Sequence, residues 1–430
     1  MLVNFRFKNC RSFYEEATLS MKATADTDLR EINTFTVDGT ALPQGDNELL
    51  KSAVIFGANA SGKTNVLRAL GYMRTVVLGS ASQTPFTRIN EPFAFYSHAF
   101  EKESLYEVEL IQNGVFYKYG FTIQYGEIKK EWLFKRIERL TEVISREDGR
   151  IRIPTEGADA TKFIALNGNT LFLSQSFGLN LKIKEHLAAV MTWFIRLFVL
   201  FENDANSLDI YTVDGGKYKK QAVEILKLAD IGIQNMEIRK DKIANVSADQ
   251  VLSKVSLLQA DPSRGQITRE ADTLYDTDVV TQFPVYNEDK TLQRIQDIYL
   301  YKNRGFNSSG TERLICYLGC MLAALDKGTV LLIDEIDSKL HFLVVNYLLR
   351  LFNSIDKNPK NAQLVCAAHN LMLMDEGLRR DQIYFTGKNE TGESTLISLS
   401  DFKNVRKTDL FSKKYLAGFY SALPNMKRDD

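Results

Sequence analysis

The residues best suited to chemistry form one run, Gly57-Ala58-Asn59-Ala60-Ser61-Gly62-Lys63-Thr64, which fits G-x-x-x-x-G-K-[ST]. Its glycines let the backbone curl so that successive N–H groups face phosphate oxygens. Asn59, Ala60, Ser61 and Asn65 fill out the cradle. Lys63 would reach β- and γ-phosphates, and the Thr64 hydroxyl would ligate Mg²⁺. A second group is Asp334-Glu335, at the end of the apolar run Thr329–Ile333. Asp334 would hold the Mg²⁺ shell through water, and Glu335 would orient and deprotonate an attacking water. Twinned carboxylates by themselves more often mark a solvated strand end; the phosphate loop upstream reverses that balance. His369 ends the next apolar run, Gln363–Ala368. Alone it would read as a satisfied strand-end histidine, but its place after Asp-Glu suits a γ-phosphate contact. Ser308-Ser309-Gly310-Thr311 opens a helix. By residue type it is an N-cap, and equally a second phosphate grip made of hydroxyl, glycine N–H and helix dipole. With one phosphate loop already present, that grip makes most sense for a nucleotide on another subunit.

These groups need elements to position them. The run Ala53–Phe56 reads as a buried strand entering the loop, and Val66, Leu67, Leu70, Met73 and Val77 recur at helical spacing after it. Residues 1–20 read as two short strands. Tyr106–Ile111 and Val115–Ile123 flank Gln112-Asn113-Gly114, a strong hairpin signal. From 133 to 300 the pattern suggests helices at 180–203, 216–229 and 290–301, with strands near Ile233–Arg239 and Val279–Tyr286. No sustained heptads support a coiled-coil arm. Further on come a helix opened by Ser308–Arg313, a strand at Thr329–Ile333, a helix at Leu340–Phe352, strands at Gln363–Ala368, Gln382–Phe385 and Thr395–Leu399, and a short helix near 409–420. The expected fold is therefore α/β. Residues 1–132 and 301–430 are the two halves of a nucleotide domain, and 133–300 is an inserted, mostly helical lobe.

Composition is that of an ordinary globular chain, 430 residues with 44% hydrophobic and 25% charged. Lys+Arg and Asp+Glu are both 54, so global charge points to no nucleic-acid partner, while a local basic patch stays open. Cys10, Cys316, Cys320 and Cys366 show no zinc-type C-x-x-C pair. Reduced thiols in a cytoplasmic protein without a secretory leader are expected. The most apolar run, Leu187–Phe201, is too short for a membrane span and contains Arg196, so it reads as a buried helix.

The set and its order resemble the ABC-type P-loop ATPases of the SMC, RecF and OLD group. Gly57–Thr64 resembles Walker A and Leu331–Glu335 resembles Walker B. Ser308–Thr311 resembles the signature motif, as S-x-G-T rather than S-G-G-[EQ]. Asp337-Ser338-Lys339-Leu340-His341 resembles the D-loop, and His369 the switch histidine. Phe7-Lys8-Asn9-Cys10-Arg11-Ser12-Phe13 is similar to the start of this group, which makes Arg11 a candidate near the nucleotide. The phrases Asn307–Leu314 and Leu331–His341, with the tail Asp381–Phe385 and Tyr415–Tyr420, are similar to stand-alone AAA-family ATPases of bacterial abortive-infection systems of the AbiL and RloA type. The resemblance covers about 1–130 and 300–425. It implies an ABC-type ATPase head with a mixed sheet flanked by helices. It also implies ATP and Mg²⁺ as ligands, and a homodimer, or a larger assembly, formed through ATP. The work implied is that of a sensor or switch in anti-phage defence controlling a separately encoded effector, a nuclease or toxin. A RecF-like or SMC-like DNA-binding role in repair or maintenance is the alternative. The Q-loop glutamine stays open among Gln83, Gln112 and Gln124. Unlike OLD nucleases, the chain shows no Toprim set after His369; Asp429-Asp430 are merely its last residues.

Overall fold

The computed structural model describes residues 1–37, 42, 47–81, 86–156, 167–176, 179–201, 217–229, 232–245, 266–270, 273–302, 307–403, 405–406 and 409–420. The chain forms two compact units. The first comprises 1–202, 327–337 and 345–430, and the second 203–326 and 338–344.

The first unit is built on two sheets. Strands β1 (Leu2–Lys8), β2 (Ala17–Ser20), β6 (Ser104–Gln112), β7 (Val115–Gln124), β8 (Glu127–Arg136), β9 (Leu140–Glu147) and β10 (Arg150–Arg152) form an antiparallel sheet in the order β10-β9-β8-β7-β6-β1-β2. The expected hairpin is β6–β7, turning at Asn113 and Gly114, both at positive φ. A small pair, β3 (Thr34–Thr36) and β4 (Glu48–Leu50), stands apart. The other large sheet joins β5 (Ser52–Gly57), β11 (Phe198–Leu200), β16 (Val330–Ile333), β17 (Gln363–Ala367), β18 (Ile383–Lys388) and β19 (Ser394–Ser398). Its order is β11-β16-β17-β5-β18-β19, parallel except for β18–β19. Ala53, Val54, Ile55 and Phe56 are fully buried because β5 lies inside a parallel sheet covered on both faces.

Helix α2 (Lys63–Gly79) buries Val66, Leu67, Leu70, Met73 and Val77 in a core that also takes side chains from both large sheets and from α4 (Lys184–Arg196). Two further short helices in this unit are α1 (Arg30–Asn33) and α3 (Phe172–Gln175). The buried Gln363 amide ties β17 to the chain start. Its Oε1 accepts from Leu2 N–H at 2.6 Å, and its Nε2 donates to the Leu2 and Leu50 carbonyls at 3.0 Å. Every polar atom of that amide is paired, as burial requires.

In the second unit, β14 (Thr273–Tyr286) pairs antiparallel with β12 (Asn235–Asn245), β13 (Gln266–Glu270) and β15 (Leu292–Tyr299). Helices α5 (Lys219–Leu228) and α6 (Ser309–Lys327) complete the described part. The fully buried Asp278 carboxylate accepts N–H groups from Leu300, Tyr301 and Lys302 at 3.1, 3.1 and 3.0 Å, fixing the exit from β15.

Two expectations are corrected. Residues 290–301 form strand β15, not a helix. The spacing of Leu292, Ile295 and Ile298 mimics a helical face, but pairing with β14 prevails, through a turn in which Asn287 N–H donates to the Thr291 carbonyl at 2.9 Å. The helix expected over 180–203 stops at Arg196, because Phe198–Leu200 pairs in parallel with Leu331–Ile333 as an edge strand. The described part of 133–300 is thus mixed, with β9–β15 beside α3, α4 and α5, rather than mostly helical. The rest of the first unit includes α7 (Phe342–Asn353), which begins in the 338–344 segment, and α8 (Phe411–Leu416). Cys10, Cys316, Cys320 and Cys366 are free thiols. No helix among the described residues is long and apolar enough to cross a membrane.

Candidate active site

The loop between β5 and α2 turns at Ala60, φ 62°, and Gly62, φ 116°. Gly62 must be glycine twice over: its φ is left-handed, and a Cβ there would lie 2.7 Å from Ser394 Oγ. Ser61 Oγ bonds Thr386 Oγ1 at 2.6 Å, so β18 braces the loop. The Lys63 ammonium lies across the loop, donating to the Gly57 and Ala58 carbonyls at 2.8 and 3.0 Å. Burial pushes its pKa below the ordinary lysine value, against the pull of Asp334, Glu335 and Asp337.

Strand β16 delivers the carboxylates to the same place. Thr64 Oγ1 donates to Asp334 Oδ1 at 3.0 Å. Burial raises the Asp334 pKa above its ordinary value, the Thr64 hydrogen bond opposing and the Glu335 charge adding. Glu335 sits at φ 50°, a strained backbone for a residue with a side chain, of the kind that gathers at functional sites. Its Oε1 lies 3.8 Å from His369 Nε2. His369 is set by Asp337, whose Oδ2 accepts the His369 N–H at 2.8 Å and the Asn370 N–H at 2.5 Å.

Lys63, Thr64, Glu335 and His369 line one cavity of about 640 Å³, together with Asn59, Ala60, Gly62 and Asn65 from the loop. Ser12, Arg68 and Lys388 line it too, and the motifs did not single them out. Arg68 could have been found, one helical turn after Thr64 on α2. Ser12 directly follows the candidate Arg11 in the run Phe7–Phe13. It accepts from Asn65 Nδ2 at 2.8 Å, whereas the Arg11 guanidinium pairs with Glu91 at 2.8 Å and is not among the lining residues. Lys388 gave no signal, since its place depends on β18 lying beside β5. Gln112 and Gln124 lie away from the cavity, Gln124 donating to the Glu101 carbonyl at 2.7 Å. Gln83, Asp429 and Asp430 lie outside the described residues.

The donor set fits a magnesium nucleotide. Thr64 and Asp334 offer the hard oxygens that Mg²⁺ takes, and the loop N–H groups and Lys63 offer donors for phosphate. Among the described residues no cluster of three or more His, Cys, Asp or Glu could hold a metal alone. A cation here would depend on Thr64, Asp334, water and the nucleotide's own oxygens.

Ser308, Gly310 and Thr311 are in the second unit, in a separate pocket of about 480 Å³. Ser308 Oγ accepts from Thr311 N–H at 3.0 Å and bonds Thr311 Oγ1 at 2.8 Å, so Ser308 does cap α6. A Cβ on Gly310 would lie 2.5 Å from the Lys339 carbonyl oxygen, which is why no larger residue fits.

A parallel sheet opening through a glycine loop onto α2, with two carboxylates at the end of β16 two strands away, is a P-loop nucleotide-binding fold. Residues 52–375 match the family described as "AAA domain, putative AbiEii toxin, Type IV TA system", and the chain belongs to that family. Nucleotide binding is what this membership implies. No curated protein matches the chain. Among solved structures, one similar chain is described as "Crystal structure of the SmcHead bound to the C-winged helix domain of ScpA". It is 13% identical with a TM-score of 0.41, covering 92% of this chain and 97% of that one.

Proposed function

We propose that this protein hydrolyses ATP with Mg²⁺ and pairs head to tail with a second copy around two nucleotides. The pair acts as a slow switch in anti-phage defence that holds or releases a separately encoded effector. The observation carrying the enzymatic part is the convergence of Lys63, Thr64, Glu335 and His369 on one cavity, with Asp334 hydrogen-bonded to Thr64 at its edge but not among the lining residues. In this reading Lys63 leaves its two loop carbonyls for the β- and γ-phosphates, a charge-assisted exchange. Thr64 and Asp334 set the cation's place, and the loop N–H groups orient the phosphates. Mg²⁺ held there would offset charge on the β- and γ-oxygens. Glu335 positions a water and accepts its proton. His369, fixed by Asp337, donates to the γ-phosphate and reports its loss. Ser308, Gly310 and Thr311 receive the γ-phosphate of the partner's nucleotide. The defence setting is supported by the family's own description, which names a toxin and a toxin–antitoxin system. The effector link extends that description to a separate chain. Single-turnover hydrolysis with Glu335→Gln tests the site. A rate close to that of the parent would remove Glu335 from its role as base.

A further inference from the structure

We propose that the nucleotide cavity has a base subsite on its β18 side, formed by the exposed Phe95 ring and by Lys388, which receives the base of the nucleoside triphosphate. The inference rests on the nucleotide reading above and adds the residues that would tell a nucleotide from bare triphosphate.

The order of the parallel strands gives the cavity a direction. β16, β17, β5 and β18 are parallel neighbours, so their C-terminal ends share one edge of the sheet. Glu335 and His369 follow β16 and β17 on one side of the loop, whereas Lys388 ends β18 on the other. A triphosphate with its γ-phosphate beside Glu335 and His369 would cross the loop and bring its nucleoside end to the β18 side. Ser12 lines the cavity there, and its Oγ accepts from Asn65 Nδ2 and from Ser394 Oγ, each at 2.8 Å. The β18–β19 hairpin is thereby bonded to the start of α2.

Phe95 stands just beyond Lys388. The exposed Lys388 ammonium lies 5.7 Å from the centre of the Phe95 ring, within cation–π reach. The ring is nevertheless 65% exposed, while its edge-on neighbour Phe93, 5.6 Å away, is fully buried. The turn after β18 fixes its place. A Cβ on Gly392, at φ 82°, would lie 2.9 Å from Phe95 Cδ2, and the Tyr96 hydroxyl bonds Thr391 Oγ1 at 2.9 Å. Asn389 closes that turn, its Oδ1 accepting from Thr391 N–H at 3.1 Å and from Glu393 N–H at 2.8 Å. A large apolar ring is thus held in the open, beside a cation of the cavity, by a hairpin bonded to the loop helix. Phosphate gains nothing from such a ring, because it needs donors, which the loop N–H groups and Lys63 supply. A planar base gains a stacking face that serves any base, and the Lys388 ammonium offers donors to acceptors on the base edge or ribose.

The test titrates the full chain with Mg-ATP and with Mg-tripolyphosphate, which carries the phosphates and no base. The parent should bind ATP more tightly than tripolyphosphate. Phe95→Ala should weaken ATP binding by about 5–150-fold, the worth of one base–aromatic stack, and leave tripolyphosphate affinity within about twofold. Phe95→Tyr, which keeps the ring, should bind ATP like the parent. Lys388→Met keeps the stem, drops the charge and should cost about 2–5-fold on ATP, the range of an exposed cation–π contact. It also gives a second reading if Phe95→Ala does not fold. If Phe95→Ala binds ATP like the parent, or loses both ligands equally, the subsite is overturned and the ring is only a prop for the hairpin. If the parent binds tripolyphosphate as tightly as ATP, the base subsite is overturned while the phosphate loop stands. If the parent binds neither, the nucleotide reading and this inference fall together.

Discussion

The loop after β5 and the start of α6 both set a glycine at a helix start, and they differ in how their polar groups are settled. Around the loop, Lys63 has two carbonyls, Thr64 has Asp334, Ser61 has Thr386 and the His369 N–H has Asp337. At α6 the Asn307 Nδ2 is buried without an acceptor, and the pocket wall carries exposed Lys339 and His341. The first site is preorganised within one chain; the second holds a buried donor without a partner. In the proposed pairing the first site does the chemistry and the second closes over the nucleotide of another copy.

The largest effect should fall on the chemical step. Glu335→Gln should slow hydrolysis by about 10²–10⁴-fold while leaving Mg-ATP bound, because the amide cannot take the proton. Rapid-quench turnover measures this, and an unchanged rate would erase the division between a chemical site and a closing site. Next comes Lys63→Ala, which should weaken ATP binding by about 10–100-fold, the range for a hydrogen bond to a charged group. Calorimetric titration of Mg-ATP against this variant would show parental affinity if Lys63 is only a structural strut.

A smaller and graded effect is expected with pH. Burial raises the Asp334 pKa, so on acidification Asp334 takes its proton at a higher pH than a surface carboxylate does. Mg²⁺-supported ATP binding should therefore fall as pH drops through that raised value. The sign for stability is opposite. A group binding more protons folded than unfolded favours the fold at low pH, and that contribution is lost as pH rises. Mg²⁺ titrations across pH should place the acid limb above the ordinary carboxylate range, and a limb within that range would contradict the buried carboxylate as the cation's anchor. The smallest effect belongs to Arg11→Ala. Its guanidinium pairs with the exposed Glu91, and such pairs contribute about 0–1 kcal/mol. ATP affinity should change by less than about 5-fold; a larger loss would bring Arg11 into the nucleotide site after all.

The two sites were not equally readable from the amino-acid sequence. The loop, its strand and α2 announce themselves because everything that forms them is local: a glycine pattern, an apolar run and a helical repeat within about thirty residues. Asp334, Glu335 and His369 were readable as ends of apolar strands. Lys388 and Ser12 were not, because their presence depends on β18 and the 9–13 turn reaching the loop, which is a matter of sheet order. At α6 the serine and glycine were visible as chemistry, while Asn307 and His341 stood in phrases that carry the resemblance, with no role of their own. Only the burial of one and the bond at Nδ1 of the other distinguish them. The middle of the chain misled for a related reason. Leu292, Ile295 and Ile298 carry a helical spacing, and only long-range pairing with β14 makes them a strand.

The central claim is that each nucleotide is served by two copies of the chain, and mixing two disabled variants tests it most directly. Lys63→Ala lacks a working loop and Ser308→Arg lacks a working closing face, so each alone should hydrolyse little ATP. In a mixed head-to-tail pair, one composite site joins the intact loop of the Ser308→Arg copy to the intact α6 pocket of the Lys63→Ala copy. Steady-state phosphate release should therefore rise when the two are combined, with a maximum near equal amounts. If the mixture is no more active than either variant alone at any ratio, the shared site does not exist and the loop works within a single chain.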